Sequence, residues 1–134
     1  MSAIENKSIL VIGGLSGIGY GFADRALAEG ARLHIASSNA SRVQQSVDGL
    51  KQKYSGADIS GHTRDLANPD VEKNPEKLLE SAKPLDHIAF TAGDALAVMP
   101  LDQIDLEAIH KAGHIRFAVP LLLAKLAPRH LKPG

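Results

Sequence analysis

Short apolar runs alternate with longer amphipathic segments along this chain. Short runs rich in Val, Ile and Leu and bounded by turn residues are typical of buried strands, whereas apolar residues three and four positions apart are typical of helices. Their regular alternation predicts parallel βαβ units and an α/β fold. Strands are predicted over residues 8–12, 32–37, 58–63 and 87–91.

The first two helices have clear end signals. The first is predicted over about residues 16–29, with Gly30 as its stop, and the second over about residues 41–54. Asn39 or Ser41 could cap the start of the second helix, since both side chains carry an oxygen that accepts from a backbone N–H.

The later helices are interrupted by proline. A third helical segment over residues 69–82 contains Pro75, which would remove an intrahelical hydrogen bond, so two shorter pieces are predicted there. A short helix over 106–111 and a longer apolar helix over 115–131 follow the fourth strand. Pro120 either kinks the last helix or marks its first turn.

Composition narrows the class of protein. The 134 residues are 44% hydrophobic, which allows one ordinary domain over residues 1–134. Fifteen basic and fifteen acidic residues cancel, and neither forms a block, so neither a nucleic-acid partner nor a membrane partner is predicted. No run reaches the about 18 apolar residues of a membrane span. The lack of cysteine and of an apolar leader at the start predicts a cytoplasmic protein.

Three glycines, Gly13, Gly17 and Gly19, join the first predicted strand to the first predicted helix. Gly13 would end the strand in a turn with positive φ, Gly17 would let the backbone approach a pyrophosphate, and Gly19 would let the helix lie close to the sheet. The N–H groups at the helix start favour an anion. A tight strand-to-helix turn alone can demand the same glycines, but the flanking strand and helix favour a nucleotide diphosphate.

The segment from Ile12 to Gly19 resembles the T-G-x-x-x-G-I-G signature of the short-chain dehydrogenase/reductase family, with Ile12 where Thr is usual. The resemblance implies a Rossmann-type three-layer αβα fold whose parallel sheet has strand order 3-2-1-4. The chain is expected to end before the fifth strand of that fold, which would leave one sheet edge unpaired and an apolar face partly bare. The cofactor is then expected in the crevice where the strand order reverses.

Two further segments carry the resemblance. Asp65-Leu66 is similar to the family's Asp-Val or Asp-Leu pair, whose carboxylate receives the adenine amino group, and Phe90-Thr91-Ala92-Gly93 is similar to N-N-A-G with both asparagines replaced. Asp94 could line the crevice or be an ordinary loop carboxylate. The cofactor residues implied on these segments are Gly13, Leu15, Ser16, Gly17, Ile18, Gly19, Asp65, Leu66, Thr91, Ala92 and Gly93.

The end of the second strand indicates which nicotinamide cofactor is used. A carboxylate there would bind the ribose 2′-hydroxyl of NAD(H) and repel a 2′-phosphate. This chain has Ser37, Ser38 and Asn39, with Arg42 one helical turn later. Hydroxyl, amide and guanidinium groups donate to phosphate, so NADP(H) is predicted. The alternative is a capped helix start with a solvated Arg42.

Catalytic residues are not predicted within this chain. The resemblance implies a Ser, and a Tyr and Lys in Y-x-x-x-K with Tyr as general acid, all expected beyond a fifth strand. Neither Tyr20 nor Tyr54 has Lys four residues later, and Tyr20 is expected to pack in the first helix. Arg116 aligns with an Asn that aids the family's proton relay. Arginine does not exchange a proton near neutral pH, so that relay either differs or is lost.

The remaining polar residues give only weak indications of a functional site. Glu107, His110 and His114 would share a helix face and could ligate Zn²⁺, but a solvated face is the simpler interpretation, and no metal site is predicted. His34, His62 and His87 are expected to be packing or surface residues.

The last helix carries more apolar residues than a solvated helix requires. We expect a homo-oligomer through this helix, or a fragment that folds poorly alone. The apolar residues are Phe117, Val119, Leu121, Leu122, Leu123, Leu126 and Leu131.

The sequence thus predicts the NADP(H)-binding half of an oxidoreductase that interconverts a carbonyl and an alcohol on a small molecule of unknown identity. A non-catalytic NADP(H)-binding module and an inactive truncated remnant remain as alternatives.

Overall fold

A computed structural model describes residues 2–13, 15, 17–66, 73–92 and 99–133. Its sheet has four parallel strands in the order β3-β2-β1-β4, which confirms the predicted order. The first two strands have the predicted bounds, β3 begins one residue later and β4 ends one residue earlier. The strands are β1 Ser8–Ile12, β2 Arg32–Ser37, β3 Ile59–Thr63 and β4 His87–Phe90.

Helices cover both faces of this sheet, as the α/β pattern predicts. The α-helices are α1 Gly17–Ala28, α2 Ala40–Lys53, α3 Asn74–Ala82, α4 Leu106–Gly113 and α5 Val119–His130. A 3₁₀ turn spans Leu101–Gln103 and a π-helical turn spans His114–Ala118.

Alternate residues of the strands pack into two separate hydrophobic cores, one on each face of the sheet. On one face, Ile9, Val11 and Leu33 pack with buried residues of α1 and α2. On the other, Leu10 and Ile12 pack with buried residues of α3, of α5 and of the π-helical turn. All five residues of β1 are buried, as expected for the centre of a parallel sheet with helices on both faces.

The starts of α2 and α3 follow from local chemistry. Asn39 caps α2, since its side-chain oxygen accepts from the Arg42 backbone N–H at 3.1 Å. Pro75 lies in the first turn of α3, where an amide hydrogen has no intrahelical partner. The first four residues of the predicted third helical segment, 69–72, lie outside the described residues.

The two helices predicted after β4 are joined, so their separation was wrong. Helix α4 continues through the π-helical turn into α5, and the Val119 N–H donates to the His114 carbonyl oxygen. Pro120 follows at once. It has no N–H for the Arg116 carbonyl oxygen, and its ring would clash with that oxygen in a regular α-helix. The wider turn accommodates the proline, which lies in the first turn of α5.

The outer edge of β4 is partly paired. Leu131 forms a parallel bridge with Leu85, and the Lys132 N–H donates to the Leu85 carbonyl oxygen at 2.8 Å. The prediction of an unpaired edge is therefore wrong at its amino end, just before β4. The expectation of a partly bare apolar face is confirmed, because Phe117 is 72% and Leu121 61% exposed.

Among the described residues, no helix has both the length and the apolar character required to cross a bilayer.

Candidate functional site

A cavity of about 640 Å³ opens at the carboxyl end of the sheet, where the strand order reverses between β1 and β4. Its volume falls within the range of small-molecule sites. Its position is the one at which open parallel sheets bind ligands. The predicted cofactor residues that line it are Gly13, Leu15, Ile18, Gly19, Ser37, Ser38, Arg42, Asp65, Leu66, Thr91 and Ala92.

Gly13 forms the turn that ends β1. Its φ is +95°, which confirms the predicted positive φ, and its N–H donates to the Ala36 carbonyl oxygen at 2.9 Å. A Cβ at Gly13 would lie 2.7 Å from the Ala92 nitrogen. Both the backbone conformation and the contact with the loop after β4 therefore require glycine.

The other two glycines serve different purposes. A Cβ at buried Gly19 would overlap the Gly13 carbonyl oxygen and the Thr91 hydroxyl oxygen, so glycine is what lets α1 lie against the strand ends. Gly17 begins α1 with φ +56°, and apart from its chain neighbours and its own helix backbone, no heavy atom of the described residues lies within 4 Å of its would-be Cβ. Gly17 is not among the described residues that line the cavity. It leaves open space beside the first turn of α1, where unpaired N–H groups attract anions.

Thr91 connects the ends of β4 and β1. Its hydroxyl donates toward the Ile12 carbonyl oxygen at 3.2 Å and the Gly13 carbonyl oxygen at 3.3 Å, and its N–H donates to Ile12 at 2.9 Å. Threonine thus holds the glycine loop from the position where the family signature has asparagine.

At the end of β2, Ser37, Ser38 and Arg42 face the cavity. Asn39 is not among the described lining residues. Its side-chain oxygen accepts from the Arg42 N–H at 3.1 Å and from the Ser41 hydroxyl at 2.9 Å. The capping interpretation is therefore correct for Asn39, while Arg42, although exposed, lies at the cavity wall.

A second arginine, which was not predicted from the sequence, also lines the cavity. Arg64 follows β3 directly, and its N–H donates to the Ser37 carbonyl oxygen at 2.9 Å, which places it beside the end of β2. Its position was the available signal, since it precedes Asp65 at the end of a predicted strand. Four apolar lining residues were also not predicted as cofactor residues: Ile12, Ala36, Phe90 and Ile115.

The segment after β3 is fixed by two side chains. The Asn74 amide donates to the Asp65 carbonyl oxygen at 2.9 Å, and Nε2 of half-buried His114 donates to the Leu66 carbonyl oxygen at 3.0 Å. The predicted solvated face is therefore wrong for His114, which is half-buried and bonded to the backbone. No cluster of three or more potential ligands for a metal ion occurs within the described part of the chain.

His34 and His62 pack together on β2 and β3. Nδ1 of His34 lies 2.9 Å from Nε2 of His62, so one ring donates and the other accepts. Burial lowers the pKa of both, and the charge of Asp58 opposes the shift at His34. The expectation of packing or surface residues is confirmed, because His34 and His62 pack on each other and His87 is exposed.

The tyrosines are structural. Tyr20 packs against the core formed with α1 and α2, which confirms its predicted role, and the Tyr54 hydroxyl donates to Asp24 at 2.6 Å. Arg116 is exposed within the π-helical turn, and its buried neighbour Ile115 lines the cavity instead. Three residues named from the sequence lie outside the described residues: Ser16, Gly93 and Asp94.

Comparison with known proteins places these features in one family of sequences. A family model described as an SDR-like Rossmann domain matches residues 1–134. The chain is 38% identical to the short-chain dehydrogenase/reductase fsr5 of Gibberella fujikuroi, over 98% of this chain and 52% of that protein.

Solved structures of related proteins agree with the family match. The MalC reductase/Diels-Alderase from Malbranchea aurantiaca superposes with a TM-score of 0.88 at 36% identity, covering 96% of this chain and 52% of that one. A short chain dehydrogenase from Burkholderia cenocepacia, solved in complex with NADP, superposes with a TM-score of 0.81 at 28% identity, covering 99% of this chain and 54% of that one. The chain thus spans about half the length of the relatives it matches.

Proposed function

Because this chain belongs to the short-chain dehydrogenase/reductase family, we propose that its cavity binds NADP(H) and that it forms the cofactor-binding part of an oxidoreductase. The observation that carries this proposal is the cavity itself, which opens at the reversal of strand order with Gly13 and Gly19 in its wall. When bound, the nicotinamide would accept or supply the hydride.

The glycine loop would hold the pyrophosphate. The first turn of α1 presents N–H groups with no intrahelical partner, and its dipole favours negative charge. Gly17 leaves the space beside that turn open, so the backbone can approach an anion without a side chain between them. Thr91 keeps Gly13 in place through its bond to the Gly13 carbonyl oxygen. These residues fit a dinucleotide.

The end of β2 would select the phosphorylated cofactor. Ser37, Ser38 and Arg42 line the cavity there, and the chain has no carboxylate at these positions to bind a ribose 2′-hydroxyl or repel a 2′-phosphate. Arginine is suited to phosphate because its planar guanidinium donates two parallel hydrogen bonds. The NADP complex of the Burkholderia cenocepacia dehydrogenase supports this choice.

For the whole protein we propose carbonyl–alcohol interconversion on a small molecule. The names of relatives that share the fold along this chain support an oxidoreductase. Within residues 1–134 no Tyr is followed four positions later by Lys. The catalytic Ser, Tyr and Lys of the proposed reaction are therefore not assigned to this chain, whose role is to bind and orient the cofactor.

We further propose that a second copy of the chain packs on the π-helical turn and α5. Phe117 and Leu121 are exposed there, and apolar side chains of this size are favourably removed from water. Analytical ultracentrifugation at micromolar concentration tests this. A dimer that Phe117→Ser and Leu121→Ser dissociate is expected, and a monodisperse monomer of the parent would contradict the proposal.

The cofactor proposal is tested with NADPH and NADH on the parent and on Arg42→Ala. The parent is expected to bind NADPH more tightly, and Arg42→Ala to weaken NADPH binding by about tenfold or more, since a hydrogen bond to a charged group contributes roughly 1.5–3 kcal/mol. NADH affinity is expected to stay unchanged. Arg25→Ala, at the far end of α1, is the matched control. Equal affinity of the parent for both cofactors would overturn the choice of NADP(H).

A further inference from the structure

Arg64 is the second guanidinium in the wall of the cofactor cavity, and we propose that it determines specificity by binding the phosphate monoester on the ribose of the adenosine half. The inference rests on the proposed function and adds a residue from β3 to the β2 segment that the sequence indicated. Arg64 would act together with Arg42, which also lines the cavity.

The backbone places Arg64 where this role requires it. Ser37 pairs in register with Thr63, and the Arg64 N–H continues the ladder by donating to the Ser37 carbonyl oxygen at 2.9 Å. Arg64 therefore lies beside Ser38 at the carboxyl end of the sheet. Two adjacent parallel strands and the first turn of α2 bring both arginines to one end of the cavity.

The described residues do not use every hydrogen-bond donor of the Arg64 guanidinium. Nη1 donates to the Thr63 carbonyl oxygen at 3.1 Å. Nε is buried and has no hydrogen-bond partner within the described part of the chain. Buried donors nearly always have an acceptor in native proteins, so the unpaired Nε shows that the described residues do not use the full hydrogen-bonding capacity of this guanidinium. An arginine has five N–H donors in a fixed fork, which matches a phosphate group.

Charge at the cavity agrees with an anionic ligand. Among the described lining residues, the charged side chains are Arg42, Arg64 and Asp65. Two positive groups and one negative group leave an excess of one positive charge. A phosphate monoester, which carries nearly two negative charges at neutral pH, would be attracted to this end of the cavity.

Two other roles for Arg64 make different predictions. If its guanidinium stacked on the adenine ring, the residue would support NADPH and NADH equally. If Arg64 only held the end of β3 through Thr63, its loss would lower the stability of the chain and would leave the ratio of NADPH to NADH affinity unchanged. The ratio of NADPH to NADH affinity therefore separates the phosphate role from both.

The test is calorimetric titration of the 134-residue chain and of Arg64→Ala, Arg64→Gln and Arg64→Lys with NADPH, NADH, 2′,5′-ADP and 5′-AMP. Arg64→Gln keeps part of the side-chain stem and a donor without the charge, so it serves if the alanine variant does not fold. Arg25→Ala, exposed on α1, is the control. Circular dichroism establishes that each variant is folded.

We expect Arg64→Ala and Arg64→Gln to lose about tenfold or more in affinity for NADPH and 2′,5′-ADP. Their affinities for NADH and 5′-AMP are expected to stay within about twofold of the parent values. Arg64→Lys is expected to retain part of the preference because it keeps the charge. An equal loss for both members of each pair, or no loss, would overturn the role of Arg64 while leaving the proposed function standing. A folded parent that binds none of the four would overturn the proposed function itself.

Discussion

The Thr91 hydroxyl oxygen lies 3.3 Å from the Gly13 carbonyl oxygen, so the end of β4 holds the glycine loop across the point where the strand order reverses. The same hydroxyl lies 3.2 Å from the Ile12 carbonyl oxygen. The loop that would receive a pyrophosphate is therefore shaped by two strands distant in sequence, and its geometry depends on both.

Replacing Thr91 tests this relationship. Thr91→Val keeps the shape of the side chain but removes the donor, and is expected to lower the free energy of unfolding by about 1 kcal/mol, the usual contribution of one hydrogen bond. Urea denaturation measures the change. Thr91→Ser keeps the hydroxyl and is the control. A valine variant as stable as the serine variant would show that the hydroxyl does not hold the loop.

Gly13→Ala is expected to destabilise the chain by about 1–3 kcal/mol, because alanine is strained at positive φ. The new Cβ would also meet the Ala92 nitrogen at 2.7 Å. Gly49→Ala is a control with the opposite expected effect, because Gly49 lies within α2 and, outside that helix backbone, no described heavy atom is within 4 Å of its would-be Cβ. That variant is expected to be more stable by about 0.5–1 kcal/mol. Equal effects of the two substitutions in thermal unfolding would contradict this account.

The strands and their order were predictable because each strand is a short apolar run between helices of clear period, and crossover handedness leaves few topologies. Residues of β1 illustrate this, since all five are buried and apolar or small. The join between α4 and α5 was not predictable. Gly113 and Pro120 each suggest an interruption, but a π-helical turn absorbs the proline instead, and that depends on how the turn packs around Ile115.

The site was predictable where one segment carries its residues, as in the glycine loop. The place of Arg64 in the cavity wall and the bond made by His114 were not predicted, for a common reason. Arg64 reaches the cavity through the pairing of β3 with Ser37, and His114 bonds to the Leu66 carbonyl oxygen 48 positions away. Periodicity along one segment contains no information on such long-range contacts.

The bonded pair of His34 and His62 is expected to make stability depend on pH. Burial lowers the pKa of both rings below the ordinary 6.5, so their contribution is present above that value and is lost as the pH falls through the folded-state pKa. The free energy of unfolding should therefore decrease between pH 7.5 and about pH 5.

His62→Gln is expected to remove part of that decrease, because one of the two rings no longer titrates. His87→Gln, which replaces an exposed histidine on β4, should keep the slope of the parent. Denaturant unfolding at several pH values gives the three slopes. If all three slopes were the same, the pair would not be the source of the dependence.

Asp86 provides an acid-sensitive contact at the other end of the sheet. Its carboxylate accepts from the Ser8 N–H at 2.8 Å, and this bond, with a smaller contribution from Lys132, lowers the pKa of Asp86. The stabilisation is present above the ordinary pKa of 3.8 and is lost as the pH falls through the lowered value.

Asp86→Asn should therefore be less stable than the parent at pH 6, and the difference should shrink as the pH is lowered toward 2.5. Asp102→Asn, at an exposed position of the 3₁₀ turn, is the control and should show little difference at either pH. A difference between parent and Asp86→Asn that stayed constant with pH would mean that the carboxylate charge is not what stabilises the contact.

Calorimetric titration of the 134-residue chain with NADPH, with NADH in parallel, decides whether the cavity binds a dinucleotide. Saturable binding of one NADPH per chain is expected, with weaker binding of NADH. A chain that is folded by circular dichroism and binds neither cofactor would contradict the claim that the cavity beside Gly13 and Thr91 is a dinucleotide site.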